Sequence, residues 1–264
     1  MNSQILTRFY IFSHKGRFFA FLTAMLGILV LTQCTSKEVN RDDPDALFSD
    51  AEEAYKDEKY LIALEKYRDI KNRFPYSTRA VDSELRIADT QFDQENFIEA
   101  ESAYEIFKEL HPTHPKSDYV QFRIAMSYFK QIPDNTARDL SAAYKAIDSF
   151  ILLVDKFPGS EYVAKAKELG QEARKRIADH ENYVADFYYQ RKHYLSASYR
   201  YASLLKDFPG FGFDEEALYR LGQCYLHIKQ TNNAIDAFRR LLSQFPSTGH
   251  KSEVQSLLED LGKQ

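Results

Sequence analysis

The chain has 264 residues, enough for one or two domains with a sizeable apolar core. Hydrophobic residues make up 44% and charged residues 28%, which excludes a predominantly disordered chain. With only 9 Gly and 8 Pro, a β-sandwich or an enzyme built on glycine-rich loops is disfavoured. The net charge of −4 gives no general attraction to nucleic acid or to anionic membranes. We therefore expect an all-helical protein whose 18 Tyr and 20 Phe recur at packing positions.

The first 33 residues have the pattern of an export signal. Arg8, Lys15 and Arg17 are their only charged residues, and Phe18–Leu31 is a run of 14 uncharged residues. A helix of that length spans about 21 Å, short of the ~30 Å hydrocarbon core. The run therefore favours the apolar region of a cleaved secretory signal. The alternative is an uncleaved anchor helix.

The signal ends in Leu31-Thr-Gln-Cys34, which resembles the lipobox of bacterial lipoproteins, with Gln33 where a small residue is usual. The resemblance implies cleavage before Cys34 and lipidation of that cysteine, with more than one acyl chain for stable anchoring. Because Thr35 is not the Asp that retains such proteins in the inner membrane, we expect the periplasmic face of the outer membrane. Residues 34–45 are polar and acidic, as in a flexible tether.

From residue 46 onward the chain repeats itself. Five segments end in an aromatic residue followed by proline, at Pro75, Pro112, Pro158, Pro209 and Pro246. The residue 12 positions before each proline is alanine, and the residue 8 positions before it is aromatic. Four residues is one turn of helix, so these side chains share a helical face. Proline then ends the helix. The five pairs are Ala63 and Tyr67, Ala100 and Tyr104, Ala146 and Phe150, Ala197 and Tyr201, and Ala234 and Phe238.

A helix precedes each of these, with a small residue at the expected helix crossing, namely Ala51, Ala88, Ala125, Ala185 and Gly222. This pattern resembles the tetratricopeptide (TPR) repeat, a helix-turn-helix unit of about 34 residues. We predict an all-α, right-handed α-solenoid of five TPR-like repeats over residues 46–264, at about 46–75, 81–112, 118–158, 178–209 and 215–246. Extra residues at 131–139 predict a loop, and residues 161–180 predict a lengthened or additional helix.

The sequence contains no pattern typical of catalysis. It has no phosphate-binding glycine loop, no GxSxG elbow and no HExxH helix. His111 and His114 are close in sequence, but the neighbouring prolines place them in a turn without other metal ligands. We expect no enzymatic activity, no cofactor, no metal and no nucleic-acid partner.

Solenoids bind partners on the concave face, which the first helices of the repeats line. By analogy with the TPR pattern, the first three repeats present an aromatic and partly acidic groove suited to an extended or turn-forming peptide with aromatic side chains. The alternative is that several of these aromatics only pack helix against helix. The predicted groove residues are Phe48, Glu52, Tyr55, Leu85, Asp89, Phe92, Phe122, Met126 and Phe129.

Three longer strings are more specific than the TPR pattern. They are Leu110-His-Pro-Thr-His-Pro115, Asn72-Arg-Phe-Pro-Tyr-Ser77 and Val184-Ala-Asp-Phe-Tyr-Tyr-Gln-Arg191. Over about residues 34–246 the chain resembles the BamD family, TPR lipoproteins of the outer-membrane β-barrel assembly machinery. Membership implies binding to the POTRA domains of a BamA-like barrel protein and to the C-terminal peptides of unfolded outer membrane proteins. Other assembly lipoproteins would be further partners.

The resemblance also assigns a role to each half of the solenoid. The N-terminal half would receive substrates, and the C-terminal half would dock the POTRA domain. Arg200 matches a family arginine at that interface, and Phe187 and Arg191 lie nearby. An intrahelical ion pair is the alternative role for Arg200. The alternative for the whole chain is a periplasmic TPR adaptor that coordinates envelope constriction or peptidoglycan synthesis.

Overall fold

A computed structural model describes residues 39–262. Over that range the chain forms eleven α-helices and no β-strand, which confirms the all-α prediction. The helices are α1 (Pro44–Lys56), α2 (Tyr60–Arg73), α3 (Thr78–Asp93), α4 (Phe97–Leu110), α5 (Ser117–Lys130), α6 (Ser141–Lys156), α7 (Val163–Gln190), α8 (Tyr194–Asp207), α9 (Asp214–His227), α10 (Thr231–Gln244) and α11 (Lys251–Leu261).

The helices form five antiparallel pairs stacked in chain order. Each helix packs against the next one in sequence, and first helices of successive repeats also touch, α1 on α3, α5 on α7 and α7 on α9. This nearest-neighbour pattern defines an α-solenoid of TPR-like repeats. Helix α11 follows the fifth pair and covers its end, where Val254 is fully buried.

The turn inside four of the repeats has one common geometry. A non-glycine residue adopts a left-handed φ of 58–62° at Glu58, Glu95, Lys192 and Lys229. The amide of this residue and the amide of the next residue donate hydrogen bonds to carbonyls of the first helix. In the first repeat, Glu58 donates to Tyr55 and Lys59 donates to Ala54. The third repeat instead has the 131–140 segment between α5 and α6.

Each second helix ends where the sequence places its proline. The residue before the proline has φ between −125° and −133°, the extended region that a following proline favours. The chain then turns into the next repeat. Before the fourth repeat, the extra residues extend its first helix, so α7 is one continuous helix of 28 residues.

The repeated alanines and aromatics form the core. The five alanines of the second helices are 0% exposed, and the five aromatics four residues later are at most 2% exposed. The small residues of the first helices are buried as well. An alanine at a helix crossing lets the two axes approach closely, and the aromatic ring fills the space between successive pairs.

Gly222 shows how tight this contact is. A Cβ added there would lie 2.7 Å from Cδ1 of Phe238, whereas a Cβ at Gly170 would meet Phe150 at 3.9 Å, an ordinary contact. We predict that Gly222→Ala lowers the free energy of unfolding by about 1–3 kcal/mol through overpacking. Gly170→Ala should raise it by about 0.5–1 kcal/mol, because it removes a glycine from a helix interior. Urea unfolding followed by circular dichroism measures both changes, and equal effects would contradict this packing.

Candidate protein-binding surfaces

The first repeat uses its predicted groove residues mainly for contacts within the solenoid. Glu52 accepts hydrogen bonds from the hydroxyl of Tyr67 at 2.6 Å and from Arg86 at 2.7 Å. The ring of Phe48 packs on Tyr67 with centroids 5.7 Å apart. Tyr55 packs across the turn on Tyr60 at 5.8 Å and donates its hydroxyl hydrogen to Asp93. The side chains of Phe48, Glu52 and Tyr55 are half-buried.

In the second repeat, two of the three predicted groove residues lie in the interior. Leu85 is 4% exposed and Asp89 is 5% exposed. Phe92 is half-buried, packs on Phe97 across the turn at 5.1 Å, and lies 3.7 Å beneath the guanidinium of Arg123. Leu85 and Asp89 therefore support the groove from within and do not line it.

The third repeat contributes the rest of the groove. Phe122 stacks on Tyr162 with centroids 4.8 Å apart, and Phe129 contacts Phe150 at 6.3 Å. Met126 packs against the same buried cluster. All three predicted residues are half-buried, so part of each is accessible. Peptide binding by this face stays a prediction.

A polar link joins successive repeats at three places. In each, a tyrosine of the second helix donates its hydroxyl hydrogen to a carboxylate 15 residues earlier, on the first helix of the same repeat. An arginine 34 residues after that carboxylate, on the first helix of the next repeat, bonds either the carboxylate or the tyrosine hydroxyl. The three links are Tyr67–Glu52–Arg86, Tyr104–Asp89–Arg123 and Tyr201–Asp186–Arg220.

The environment of each link keeps the tyrosine protonated. Burial, followed by the hydrogen bond to Glu52, raises the pKa of Tyr67. Burial, together with the negative charge of Asp89, raises the pKa of Tyr104. Burial, followed by the hydrogen bond to Asp186, raises the pKa of Tyr201. Each carboxylate is thus paired inside the solenoid, and the acidic groups expected in the groove are offset by arginines.

In the C-terminal half of the described chain, α7 and α8 each carry exposed large apolar side chains. Tyr183 and Phe187 follow each other at four-residue spacing on α7 and are exposed. The guanidinium of Arg191 lies 3.6 Å from the ring centre of Phe187. On α8, Leu195 and Tyr199 are exposed, Tyr199 at 70%. We call these five residues and Arg200 the α7–α8 surface.

Arg200 lies at the edge of that surface. Its Nη1 is 3.0 Å from Oε2 of Glu181, so the ion pair joins α8 to α7 and is not intrahelical. The side chain of Arg200 is 46% exposed. The sequence placed Phe187, Arg191 and Arg200 near one another, but it did not identify Tyr183, Leu195 and Tyr199 as exposed. The i, i+4 spacing within each pair was the available signal.

The two histidines singled out in the sequence make contacts within the solenoid. His111 lies 2.6 Å from Glu84, and His114 packs edge-on against Phe107. Among residues 39–262, no three metal-ligating side chains come together.

Burial raises the pKa of the Cys224 thiol to about 12. No helix in the described part of the chain is long and apolar enough to cross a bilayer. Cys34 and the predicted signal lie outside the described residues.

The fold is a TPR-like solenoid of five helix pairs with exposed aromatic side chains on α7 and α8. A family model described as YfiO, outer membrane lipoprotein, matches residues 40–233. The chain therefore belongs to the YfiO family of outer membrane lipoproteins.

Named relatives agree with this family and confirm the resemblance drawn from residues 72–191. The outer membrane protein assembly factor BamD of Neisseria meningitidis serogroup A is 28% identical over 243 residues, covering 86% of this chain and 91% of the relative. BamD of Vibrio cholerae is 25% identical over 230 residues, covering 83% and 94%. Among solved structures, the TPR2AB domain of yeast Sti1 has 14% identity and a TM-score of 0.44, covering 78% of each chain. That score is too low to support a conclusion.

The polar links predict how individual tyrosines contribute to stability. We expect Tyr104→Phe to lower the free energy of unfolding by about 1–3 kcal/mol, because buried Asp89 loses a donor. The matched control is Tyr219→Phe, which removes an exposed hydrogen bond to Glu253 and a part-buried one from Gln223 and should cost less than Tyr104→Phe, about 0.5–1 kcal/mol. Urea unfolding at pH 8 measures both values. Equal losses would contradict the role of the buried link.

The same link predicts a dependence on alkaline pH. The folded-state pKa of Tyr104 is raised above its unfolded value. The contribution to stability is therefore complete below the unfolded pKa of about 10 and is lost as the pH rises above it. Between pH 8 and pH 11, the wild type should lose more stability than Tyr104→Phe. A parallel loss in both proteins would contradict this account.

Proposed function

We propose that this chain is a non-enzymatic, lipid-anchored scaffold for the assembly of outer membrane β-barrel proteins. In this role it docks the POTRA domains of a BamA-like barrel protein and receives the C-terminal peptides of unfolded outer membrane proteins. Family membership and the names of the relatives support a role in outer membrane protein assembly. The division of labour between the two halves of the solenoid is our proposal.

The observation that carries the docking role is the α7–α8 surface. Exposed aromatic rings beside arginines are the composition enriched at the centres of protein interfaces. Leu195 and Tyr199 are exposed on a solenoid that buries its repeat aromatics almost completely. A folded domain that covers this surface would remove their apolar area from water. Arg200 at the edge would supply a positive charge that helps to orient the partner domain on this surface.

The substrate role is assigned to the concave face of repeats one to three. Phe48, Tyr55, Phe92, Phe122 and Phe129 leave part of each ring accessible there. Arg123 lies over Phe92 and is bonded to Asp93 and to the hydroxyl of Tyr104, so it supports the rings from within the solenoid. The accessible parts of the rings suit a peptide that carries aromatic side chains.

The proposed location is the periplasmic face of the outer membrane, with attachment through acyl chains on Cys34. Cys34 lies ten residues before Pro44, the first residue of α1. Ten residues span at most about 35 Å, so acylation of Cys34 would keep the solenoid near the lipid surface. Other assembly lipoproteins would share this location and are proposed as further partners.

Binding of a purified POTRA fragment tests the docking role. We predict that Arg200→Glu weakens binding about tenfold or more, the typical cost of removing a hot-spot arginine. The control is Glu181→Gln, which breaks the same ion pair but keeps Arg200, and it should change affinity less than about threefold. Isothermal titration calorimetry measures both constants.

Two outcomes would contradict this role of Arg200. Equal weakening by Arg200→Glu and Glu181→Gln would mean that Arg200 acts only through its ion pair. Unchanged binding in Arg200→Glu would remove it from the interface. Circular dichroism of each variant, with Arg68→Glu in the first repeat as a charge control, shows whether folding is intact.

The two cysteines test the anchor. We predict that Cys34→Ser abolishes labelling by a palmitate analogue and shifts the protein from the membrane fraction to the soluble fraction. Cys224→Ser should keep full labelling, because Cys224 is fully buried in the solenoid. Metabolic labelling followed by fractionation measures both results. Persistent labelling of Cys34→Ser would contradict the proposed anchor.

A further inference from the structure

The tight turns inside repeats one, two, four and five carry a charged residue at the same position. The residue with left-handed φ is Glu58, Glu95, Lys192 or Lys229. Glycine and asparagine adopt this conformation at lower cost than a long side chain does. All four side chains are exposed, and none has an ion pair or a hydrogen bond within residues 39–262. Contacts inside the solenoid therefore do not explain why charged residues occupy these turns.

The sign of this charge reverses along the solenoid. It is negative in the first two repeats and positive in the last two. Next to these turns, Glu99 adds a negative charge in the second repeat and Arg191 adds a positive charge in the fourth. We call the edge formed by the four turns, with the 131–140 segment between them, the turn edge. One half of this edge is acidic and the other half is basic.

Exposed apolar side chains accompany these charges. In each second helix, the residue two positions before the buried alanine lies on the side away from the core, because two residues rotate the helix by about 200°. In the first four repeats this residue is large, apolar and 51–76% exposed, and in the fifth it is Asn232. The four apolar residues are Leu61, Ile98, Tyr144 and Leu195.

The third repeat lies at the middle of the turn edge. Ile132 and Leu140 of its 131–140 segment are buried, and Asp134 pairs with Arg176 on α7 at 3.2 Å. The segment is thus packed against the solenoid, between the acidic half and the basic half. On both sides of it, a turn charge is followed three residues later by the outward-facing residue of the second helix.

A surface with this order is complementary to a second copy of itself. In a two-fold pair, each repeat faces the repeat of the second copy that lies equally far from the axis. With the axis at the third repeat, Glu95 lies opposite Lys192 of the second copy. Ile98 then lies opposite Leu195. We propose that two copies of this chain pair in antiparallel orientation through the turn edge.

The contacts between the second and fourth repeats contribute most to the pairing. There the charges of Glu99 and Arg191 add to those of the turn residues. The first repeat faces the fifth, but Lys56 lies close to Glu58 in the sequence and offsets its charge. Exposed ion pairs are individually weak and are screened by salt. We therefore expect weak pairing that depends on the salt concentration.

The proposal does not rest on the function proposed above. Leu195 also belongs to the α7–α8 surface, so the pairing is expected of the chain that is free of a docked domain. Sedimentation velocity of the full chain alone, in density-matched detergent, measures it. We expect a monomer–dimer equilibrium whose association constant falls at least about tenfold between about 0.05 M and about 0.5 M NaCl. A monomer at all concentrations up to about 100 μM, or a dimer insensitive to salt, would overturn the proposal.

A charge exchange tests the antiparallel arrangement. Glu58→Lys with Glu95→Lys makes both halves of the turn edge basic, and Lys192→Glu with Lys229→Glu makes both halves acidic. Each double variant alone should associate at least about tenfold more weakly than the wild type. An equimolar mixture of the two should associate as the wild type does, because every turn charge again faces its opposite. A mixture that stays monomeric would overturn the proposal.

Folding of these variants has an internal control. Each substitution introduces a residue type that the same turn already holds in another repeat, so circular dichroism and Tm should match those of the wild type. The apolar contact is tested separately by Ile98→Ser, which should weaken association at least about threefold. Ile106→Ser is its matched control, since Ile106 is also exposed on α4 but lies about 12 Å further along the helix. Equal effects of the two substitutions would overturn the proposed contact.

Discussion

The close approach of the two helices in each repeat is the constraint on which the structure depends. An alanine or glycine on each helix removes the side chain at the crossing, and an aromatic ring one turn later fills the space that results. In the fifth repeat Gly222 leaves no room for even a methyl group against Phe238, whereas the other four repeats have a buried alanine at this position. Because the contact recurs in all five repeats, the register of every helix relative to its neighbours is fixed.

The fixed register produces the polar links. Each link needs a tyrosine 15 residues after a carboxylate and an arginine 34 residues after the same carboxylate. These side chains meet only when successive helix pairs are related by the same rise and rotation. The links use the carboxylates of the first helices, so these acids stabilise the stack and are not left for ligands. Exposed large apolar side chains lie on several helices of the described chain, such as Leu61 and Ile98 in the first two repeats, and the α7–α8 surface adds exposed rings beside arginines.

The sequence predicted those features that depend on local spacing. Proline positions gave the helix ends, and the alanine and aromatic positions identified the core of each repeat, since both follow from the helical period. Contacts between helices were harder to predict from the sequence. Leu85 and Asp89 are interior residues, because the same helical face serves both the groove and the crossing. Arg200 pairs with Glu181 on another helix, a contact that depends on how α7 and α8 pack.

Site-specific photo-crosslinking tests the central claim most directly, namely that the stacked repeats present the α7–α8 surface to another polypeptide. A photoreactive phenylalanine replaces Tyr199 in cells, and Tyr76, which is fully exposed in the first repeat, serves as the comparison site. The account predicts a crosslink from position 199 to the POTRA-bearing barrel protein and none to that protein from position 76. Equal crosslinking from both positions, or none from position 199, would contradict it.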